Sequence, residues 1–101
     1  MAFSIIIKPI VWLDIEDAID WYEKQSPRLG KRFYKNFEEA TERILSQPTV
    51  YITVTQNVRR VLLKTFPYKL FYTISGDTIY ILGLLHGKRS KASIKRRLQL
   101  K

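Results

Sequence analysis

The sequence predicts an α+β domain: an antiparallel sheet with a helical hairpin on one face, in the order strand, helix, helix, strand, strand, strand. Three observations lead to this prediction. A β-branched run stands near the amino terminus, two stretches with apolar residues at helical spacing follow it, and three strand-like runs occupy the second half. Because the chain has 101 residues, 46% of them apolar, we expect one domain spanning residues 1–101.

The first strand is predicted at residues 3–7, FSIII, which are mostly β-branched or aromatic and stop at Lys8-Pro9. Pro9 suits the entry of a helix, because the N–H that proline lacks has no helical partner in the first turn. Beyond it, apolar residues share one helical face and the acidic residues fall largely off it. This apolar face consists of Val11, Ile15, Ala18, Ile19 and Tyr22.

A second helix is predicted to begin at Ser26-Pro27, with Ser26 as its N-cap and Pro27 in its first turn. It should end before Pro48. Because the connection between the helices is short, we expect them to pack antiparallel. The apolar stripe of this second helix consists of Leu29, Phe33, Phe37, Ala40 and Ile44.

The second half predicts three strands, at residues 58–64, 67–75 and 77–85. Gly76 marks a tight hairpin between the last two, because glycine readily adopts the positive φ that such turns require. Residues 48–57 alternate like a strand but are rich in polar side chains, so we predict a loop or an irregular edge. Residues 90–101 are predicted to form a short basic helix or a tail.

Strict alternation along the last two strands predicts which side chains share a face. The face that holds Lys69 and Thr73 is expected to point away from the helices and to remain uncovered. The hairpin register is expected to place three tyrosines together on a face in the core, namely Tyr68, Tyr72 and Tyr80. On the last strand, alternation groups Ile79, Ile81, Gly83 and Leu85.

The charge is concentrated in the second half of the chain. Residues 1–42 carry a net charge of −2 and residues 43–101 a net charge of +11. Such an excess attracts an anionic partner, whether nucleic acid, an acidic protein segment or a phospholipid surface. The alternative is a solvated basic surface that serves solubility.

Several classes of protein are excluded by composition. Without cysteine and with one histidine, a disulfide framework, a thiolate nucleophile and an all-protein metal site are not expected, and we predict no metal and no cofactor. No apolar run reaches the roughly 20 residues of a membrane span, and the amino terminus does not resemble a signal peptide. We therefore expect a cytoplasmic protein without a membrane partner.

Several local features together carry a resemblance to a known family. They are the apolar first strand, Ala18-Ile19 and Trp21-Tyr22, Ser26-Pro27 before Phe33 and Phe37, Leu45-Ser46-Gln47-Pro48, Arg59-Arg60, residues 66–72 (FPYKLFY), and His86 with Arg89. In this order and spacing, they resemble the RelE/ParE superfamily of toxins from type II toxin–antitoxin systems. The resemblance covers nearly the whole chain and is greater to the ParE, or plasmid-stabilisation, side.

The resemblance implies a toxin that arrests growth by inhibiting DNA gyrase and needs no catalytic groups of its own. It also implies neutralisation by an acidic antitoxin encoded by the adjacent gene, in a toxin–antitoxin hetero-oligomer. One alternative within the superfamily is a RelE-like ribosome-dependent mRNA endonuclease. Another is a module that still binds an antitoxin but is inactive.

A ribonuclease would need a base for the 2′-hydroxyl, cations for the phosphorane and an acid for the leaving oxygen. In the second half only His86 offers an imidazole, and the single acid, Asp77, lies in the hairpin turn. Lys69 falls where ribonucleases of the superfamily often carry arginine. His86 and Lys69 are therefore the candidate catalytic residues if the chain cleaves RNA, and the alternative for His86 is a structural role at the strand end.

The candidate target-binding surface consists of basic side chains from the second half, whether the target is gyrase or ribosome-bound mRNA. We expect the last strand to bring His86, Lys88 and Arg89 to the rim of the face that holds Lys69. The alternative is that arginines of this set form ion pairs with glutamates of the helices. The full set is Arg59, Arg60, Lys64, Lys69, His86, Lys88 and Arg89.

Overall fold

The computed structural model describes residues 2–98 and has the predicted order of helices and strands, with one further strand and a third helix. The α+β prediction and the helical hairpin are confirmed. The elements are β1 (Ser4–Ile7), α1 (Pro9–Gln25), α2 (Leu29–Ser46), β2 (Thr53–Thr55), β3 (Val58–Leu62), β4 (Tyr68–Ser75), β5 (Thr78–His86) and α3 (Lys91–Leu98). The end of the basic segment predicted at residues 90–101, residues 99–101, lies outside the described part of the chain.

The five strands form one sheet in the order β1-β5-β4-β3-β2. β1 runs parallel to β5, with Ser4 opposite Thr78 and Ile7 opposite Ile81, and the other pairs are antiparallel. The prediction of a wholly antiparallel sheet is therefore wrong at β1. Alternation in a four-residue strand shows which side chains share a face, but it does not show the direction of a partner that lies 74 residues further along the chain.

The two long helices bury the predicted apolar stripes against the sheet. The core on this side contains Val11, Ile15, Ala18, Phe33, Phe37, Ala40 and Ile44 from the helices, and Val61, Leu70, Tyr72, Ile79, Ile81 and Leu84 from the strands. Pro9 is the first residue of α1, as predicted. Burial of these stripes is the main source of stability for helices of this length, because propensity alone holds such helices only marginally.

The predicted N-cap of α2 is wrong. Ser26 instead ends α1, and its N–H donates to the Tyr22 carbonyl oxygen at 3.1 Å. α2 begins at Leu29, after Arg28 in a left-handed conformation with φ 73°. Ser26 fits both the end of one helix and the start of the next, and the sequence pattern alone does not separate the two.

The side chain that caps α2 comes from the preceding helix. The Glu23 carboxylate accepts the N–H of Arg28 through Oε2 and the N–H of Gly30 through Oε1, both at 3.0 Å. A β-carbon at Gly30 would lie 2.8 Å from the Ile19 carbonyl oxygen, so glycine lets the two helices approach closely. Glu23 and Gly30 together fix the angle of the helical hairpin.

A bulge in β5 exchanges the faces of its last residues. Phe71 pairs with Gly83, whereas the next residue of β4, Tyr72, pairs with Ile81, so Leu82 is an extra residue. Beyond Leu82, the residue that faces the helical hairpin is Leu84, and the prediction that strict alternation holds along β5 is wrong there.

The tyrosine prediction is only partly right. Tyr72 is buried beneath the helices and Tyr68 is partly buried beside them. Tyr80, however, pairs with Thr73 and so lies on the opposite face of the sheet. The hairpin turns about Gly76, which has a φ of 61°, and this register separates Tyr80 from the other two.

The second face of the sheet is not bare, because α3 covers part of it. Val58, Phe71 and Leu85 form a small buried cluster there. Ile94 and Leu98 of α3 pack against this cluster, together with Leu82 from the bulge. The prediction that this face remains uncovered is therefore wrong for the part that lies under α3.

The position of α3 is fixed by an ion pair with α1. The Arg97 guanidinium binds the Asp14 carboxylate, whose Oδ2 also accepts the N–H of Leu84 at 3.2 Å. Burial raises the pKa of Asp14, although the Leu84 N–H and Arg97 lower it in part. Because burial opposes the charged carboxylate, the pair orients α3 rather than adding much net stability.

Gly83 leaves room for this ion pair. A β-carbon at Gly83 would lie 2.9 Å from Arg97 Nη1 and 3.1 Å from Leu98 Cδ2. Both contacts are with α3, so a larger residue at this position would push the helix away from β5.

We predict that Gly83→Ala lowers the free energy of unfolding by about 1–3 kcal/mol, because the added methyl group overpacks the contact with α3. Urea unfolding of the wild type and the variant measures this loss. In an Arg97→Ala background the same substitution should cost less, since one clashing side chain is gone. An equal cost in both backgrounds would contradict the packing described here.

The loop before β2 is held by two side chains of the sheet. The Tyr72 hydroxyl donates to the Pro48 carbonyl oxygen at 2.7 Å. Arg59 Nη1 donates to the carbonyl oxygens of Thr49 at 3.0 Å and Tyr51 at 2.7 Å. Burial raises the pKa of Tyr72 to about 12, with the Arg59 charge acting in the opposite direction.

Tyr72→Phe is expected to lower the free energy of unfolding at pH 7 by about 1–2 kcal/mol, because it leaves the Pro48 carbonyl without its donor. The pH dependence gives a second measure. Since the folded state holds the phenolic proton more tightly, the contribution of Tyr72 is complete below pH 10.0 and is lost as the pH rises towards about 12. The wild type should lose about 2 kcal/mol more than the variant across this interval. Parallel stability curves for the two proteins would refute this role of Tyr72.

Candidate functional site

A concave surface lies on the second face of the sheet, between β2 and α3. It is a groove of about 460 Å³. Its described lining residues are Ile52, Thr53, Val54, Thr55, Arg60, Lys69, Phe71, Arg89, Lys91, Ile94 and Lys95. Five of these are cationic, and no Asp, Glu or His is among them.

Strand register brings the cations of β3 and β4 together. Arg60 pairs with Phe71, and Lys69 stands two residues before Phe71 on the same strand. Partners in register and residues two apart point to the same face. Arg60, Lys69 and Phe71 therefore share the face that α3 partly covers, as the alternation of Lys69 and Thr73 predicted.

α3 and the turn before it supply the other cations. Lys91 and Lys95 are one helical turn apart and share a side of α3. Arg89 precedes the helix, and its Nε donates to Ser93 Oγ at 2.9 Å. Because both sides of the groove carry positive charge, the groove attracts polyanions and disfavours basic partners.

His86 does not share this groove. It pairs with Tyr68 on the hairpin side of the sheet, where the two ring centroids are 5.2 Å apart, whereas Lys69 pairs with Leu85. His86 Nδ1 accepts the N–H of Lys88 at 3.1 Å. The expectation that His86 lies at the rim of the Lys69 face is wrong, because consecutive residues of a strand point to opposite faces.

His86 instead lines a cavity of about 310 Å³ that it shares with α1. Asp14, Asp17 and Trp21 line the same cavity. Arg89 reaches both this cavity and the groove, since the turn that carries it lies at the end of β5.

The remaining predicted residues are also dispersed. Arg59 is engaged by the loop before β2. Lys64 lies beside the carboxyl-terminal half of α2, in a cavity that Glu39 and Glu42 also line. Lys88 lines a small cavity of about 170 Å³. Of the seven residues proposed for target binding, the structure brings three into the groove: Arg60, Lys69 and Arg89.

Sequence reasoning missed two parts of the groove. Lys91 and Lys95 lie in the segment predicted as a short basic helix or a tail, and their i, i+4 spacing is the signal that one side of a helix carries both. The apolar side chains Ile52 and Val54 stand in the segment predicted as a loop or irregular edge. Their alternation was visible, but Thr, Gln and Asn in the same segment weakened the strand signal.

The described part of the chain offers no metal cluster and no membrane helix. Within residues 2–98, no three histidine, aspartate or glutamate side chains lie close enough to hold a metal ion. None of the helices in that span has the length and apolar character that crossing a membrane requires.

Comparison with known families gives a match along most of the chain. Residues 5–91 match the family model described as the ParE toxin of type II toxin-antitoxin system, parDE. The chain belongs to the ParE toxin family. It is thus a toxin of the RelE/ParE superfamily, as the sequence features indicated.

A curated toxin and a solved structure are similar to this chain over most of its length. The chain is 26% identical over 83 residues to Toxin ParE2 of Mycobacterium tuberculosis, covering 81% of this chain and 79% of that toxin. The chromosomal ParDE TA system from P. aeruginosa includes a chain that matches with a TM-score of 0.62 at 16% identity, covering 84% of this chain and 96% of that one.

RelE structures share the same fold. A mutant of the E. coli toxin RelE in the free state gives a TM-score of 0.62 at 12% identity, over 95% of this chain and 98% of that one. The archaeal RelE-RelB complex from Pyrococcus horikoshii gives 0.57 at 17% identity, over 89% of this chain and 100% of the matching chain. At these identities the similarity shows a common fold and nothing about activity.

Proposed function

We propose that this ParE-family protein arrests growth by inhibiting DNA gyrase through its basic groove, and that it does so without catalysing a reaction. The proposal implies a cytoplasmic protein, since gyrase acts on the bacterial chromosome. Family membership supports the class of toxin, and the composition of the groove supports the choice of target. Arg60, Lys69, Arg89, Lys91 and Lys95 are the residues proposed to contact the gyrase–DNA complex.

One observation carries the proposal: the groove gathers cations but no imidazole and no carboxylate from the described residues. Cations suffice to bind an acidic protein surface or a nucleic acid backbone. Efficient RNA cleavage also calls for a proton acceptor with a pKa near the working pH. His86 carries the single imidazole of the sequence, but it lies on the hairpin side of the sheet.

The proposed partner that neutralises the toxin is an antitoxin encoded by the adjacent gene. Structures of similar fold include a ParDE system and RelE bound to an antitoxin RelBc peptide. The net charge of +9 supports an acidic antitoxin. Toxin and antitoxin would form a hetero-oligomer, and the toxin would act after release.

Purified protein is expected to block supercoiling of relaxed plasmid DNA by gyrase. The double variant Arg60→Ala, Lys69→Ala should need roughly ten times more protein for the same inhibition, a loss of about 1.4 kcal/mol of binding free energy. A matched control is Lys31→Ala, Lys35→Ala, which removes two exposed positive charges from α2 and should inhibit like the wild type.

If excess toxin leaves supercoiling by gyrase unchanged although the same protein still arrests growth, gyrase is excluded as the target. Loss of inhibition in the α2 control as well would mean that total charge, and not the groove, is responsible. Harmless overexpression in the natural host would favour an inactive module that only binds antitoxin.

The second candidate is a ribosome-dependent mRNA endonuclease. Three side chains favour it, because Arg60, Lys69 and Arg89 meet in one groove and can stabilise the negative charge of a phosphorane. Toe-printing of ribosome-bound mRNA distinguishes this activity. Cuts at codon positions that disappear with Lys69→Ala but persist with His86→Gln would establish a ribonuclease built on the groove and refute the gyrase proposal.

A further inference from the structure

A second concave site lies at the carboxyl-terminal end of β5, on the hairpin side of the sheet. It is the cavity of about 310 Å³ between α1 and β5, and we call it the α1 cavity. The side chains that matter for its chemistry are Asp17, Trp21, Tyr68, His86 and Arg89. Small-molecule pockets have volumes of about 300–1,000 Å³, so this cavity is at the lower end of the range and suits a single heterocycle.

Two aromatic side chains line the α1 cavity. Trp21 is 57% exposed, and its ring stands edge-on to that of Tyr22 with the centroids 5.1 Å apart. The Tyr68 ring stands edge-on to His86 at 5.2 Å. Such edge-to-face contacts orient each ring through its neighbour. The exposed, oriented indole of Trp21 therefore offers a surface on which a planar ligand can stack.

The charges that line the α1 cavity balance one another. Asp14 is already neutralised, because its Oδ2 accepts N–H groups of Arg97 and Leu84. Asp17 is exposed and forms no ion pair within residues 2–98. Its negative charge is opposed by the positive charge of Arg89 in the same cavity. This balance favours a neutral heterocycle over a guanidinium or ammonium group, which Arg89 would repel.

The polar side chains of the α1 cavity supply both acceptors and donors. The two oxygens of the Asp17 carboxylate accept hydrogen bonds. His86 Nδ1 already accepts the N–H of Lys88 at 3.1 Å, so the proton of the imidazole on Nε2 is left for a ligand. Burial raises the pKa of Tyr68, and nearby charges, that of Asp17 among them, raise it further, so the phenol keeps its proton. A matching ligand presents donors and acceptors side by side.

Guanine is the nucleobase that matches this set. Its Watson–Crick edge presents two adjacent donors, N1–H and N2–H, and a carboxylate accepts two such parallel donors. The O6 acceptor lies beside them, where an N–H of His86 or Arg89 suits it. Adenine and cytosine each have one amino group on this edge, and hypoxanthine lacks the 2-amino group of guanine. A free carboxylate flanked by donors therefore selects guanine.

Arg89 connects the α1 cavity with the basic groove, since it lines both. Its Nε donates to Ser93 Oγ at 2.9 Å, which leaves the two terminal nitrogens for a ligand. A guanidinium binds phosphate oxygens through two N–H groups at once. Lys91 follows on the groove side. A phosphate attached to a base in the cavity therefore meets cations at the boundary between the two sites.

We propose that the α1 cavity binds a guanine nucleotide, with the base stacked on Trp21, its N1–H and N2–H donating to the Asp17 carboxylate, and its phosphate bound by Arg89. The same chemistry is presented by a free nucleotide and by a guanine in a strand whose phosphates continue into the basic groove. The inference goes beyond the proposed function and does not rest on gyrase inhibition. It gives His86 a role in binding as a hydrogen-bond donor.

Binding is measured by calorimetry with the full chain, using guanosine, inosine and adenosine 5′-monophosphates (GMP, IMP and AMP). GMP should bind about tenfold more tightly than IMP, which lacks the amino group that donates to Asp17, and AMP should bind no better than IMP. Asp17→Asn should weaken GMP binding about tenfold and remove the preference for GMP over IMP. Asp20→Asn makes the same change in charge on an exposed residue of α1 outside the cavity lining, and should bind GMP like the wild type.

Two further variants separate stacking from phosphate binding. Trp21→Ala should weaken GMP and guanosine alike, by about tenfold, whereas Trp21→Phe should keep most of the affinity. Arg89→Ala should weaken GMP but leave guanosine unchanged, because guanosine has no phosphate. Circular dichroism and thermal unfolding verify that each variant folds.

A labelled oligothymidylate, with and without one central guanine, distinguishes the two sources of the nucleotide. If the guanine strengthens strand binding through Asp17 and free GMP does not bind, the ligand is a base in a strand. If GMP binds through Asp17 and the guanine adds nothing to the strand, the ligand is a free nucleotide.

Three results would each overturn the proposal: equal affinities for GMP, IMP and AMP, affinities that Asp17→Asn leaves unchanged, or no binding of GMP together with no effect of guanine in the strand. These assays contain no gyrase, so the cavity and the gyrase proposal fail separately.

Discussion

The surface architecture of this toxin depends on how α3 is docked across the second face of the sheet. Arg97 reaches past Gly83 to Asp14 on α1, and Ile94 and Leu98 cover Phe71. This contact connects α3 to the helical hairpin. It passes around the part of the β5 edge that does not pair with β1. Without it, the cations of α3 would have no fixed relation to those of the strands.

The groove follows from this docking together with the strand register. The register of β3 with β4 places Arg60 near Lys69, and α3 brings Lys91 and Lys95 to the opposite side of the groove. A sheet open on this face would spread these charges over a flat surface. Closed at one end by α3 and at the other by β2, the face becomes a concave, positively charged site, which strengthens the field that a macromolecular partner meets.

The sequence predicted most of the fold because the helices and strands are locally periodic. The stripes through Phe33 and Phe37 and the turn at Gly76 determine the hairpin and the last two strands. The bulge at Leu82 was not predictable in this way, because an extra residue leaves no compositional mark in an apolar strand. The direction of β1 and the docking of α3 depend on partners far away in the chain, such as Asp14, which appeared to be one more residue of an acidic helix face.

The candidate site was predicted in composition but not in arrangement. Arg60, Lys69 and Arg89 share the groove, since alternation correctly placed Lys69 outward. His86 was assigned to the same rim because it ends the last strand close to Arg89, yet one residue along a strand changes the face. The contribution of Ile52 to the groove was not predictable from the sequence. It depends on the position of its segment at the edge of the assembled sheet.

Amide hydrogen exchange of the wild type and Arg97→Ala tests the docking of α3 most directly. Residues 94–98 and the Leu84 amide should be protected in the wild type and exchange at least about tenfold faster in the variant, while β3 and β4 keep their protection. Rapid exchange of residues 94–98 in the wild type would contradict the account. Exchange that Arg97→Ala leaves unchanged would contradict it equally.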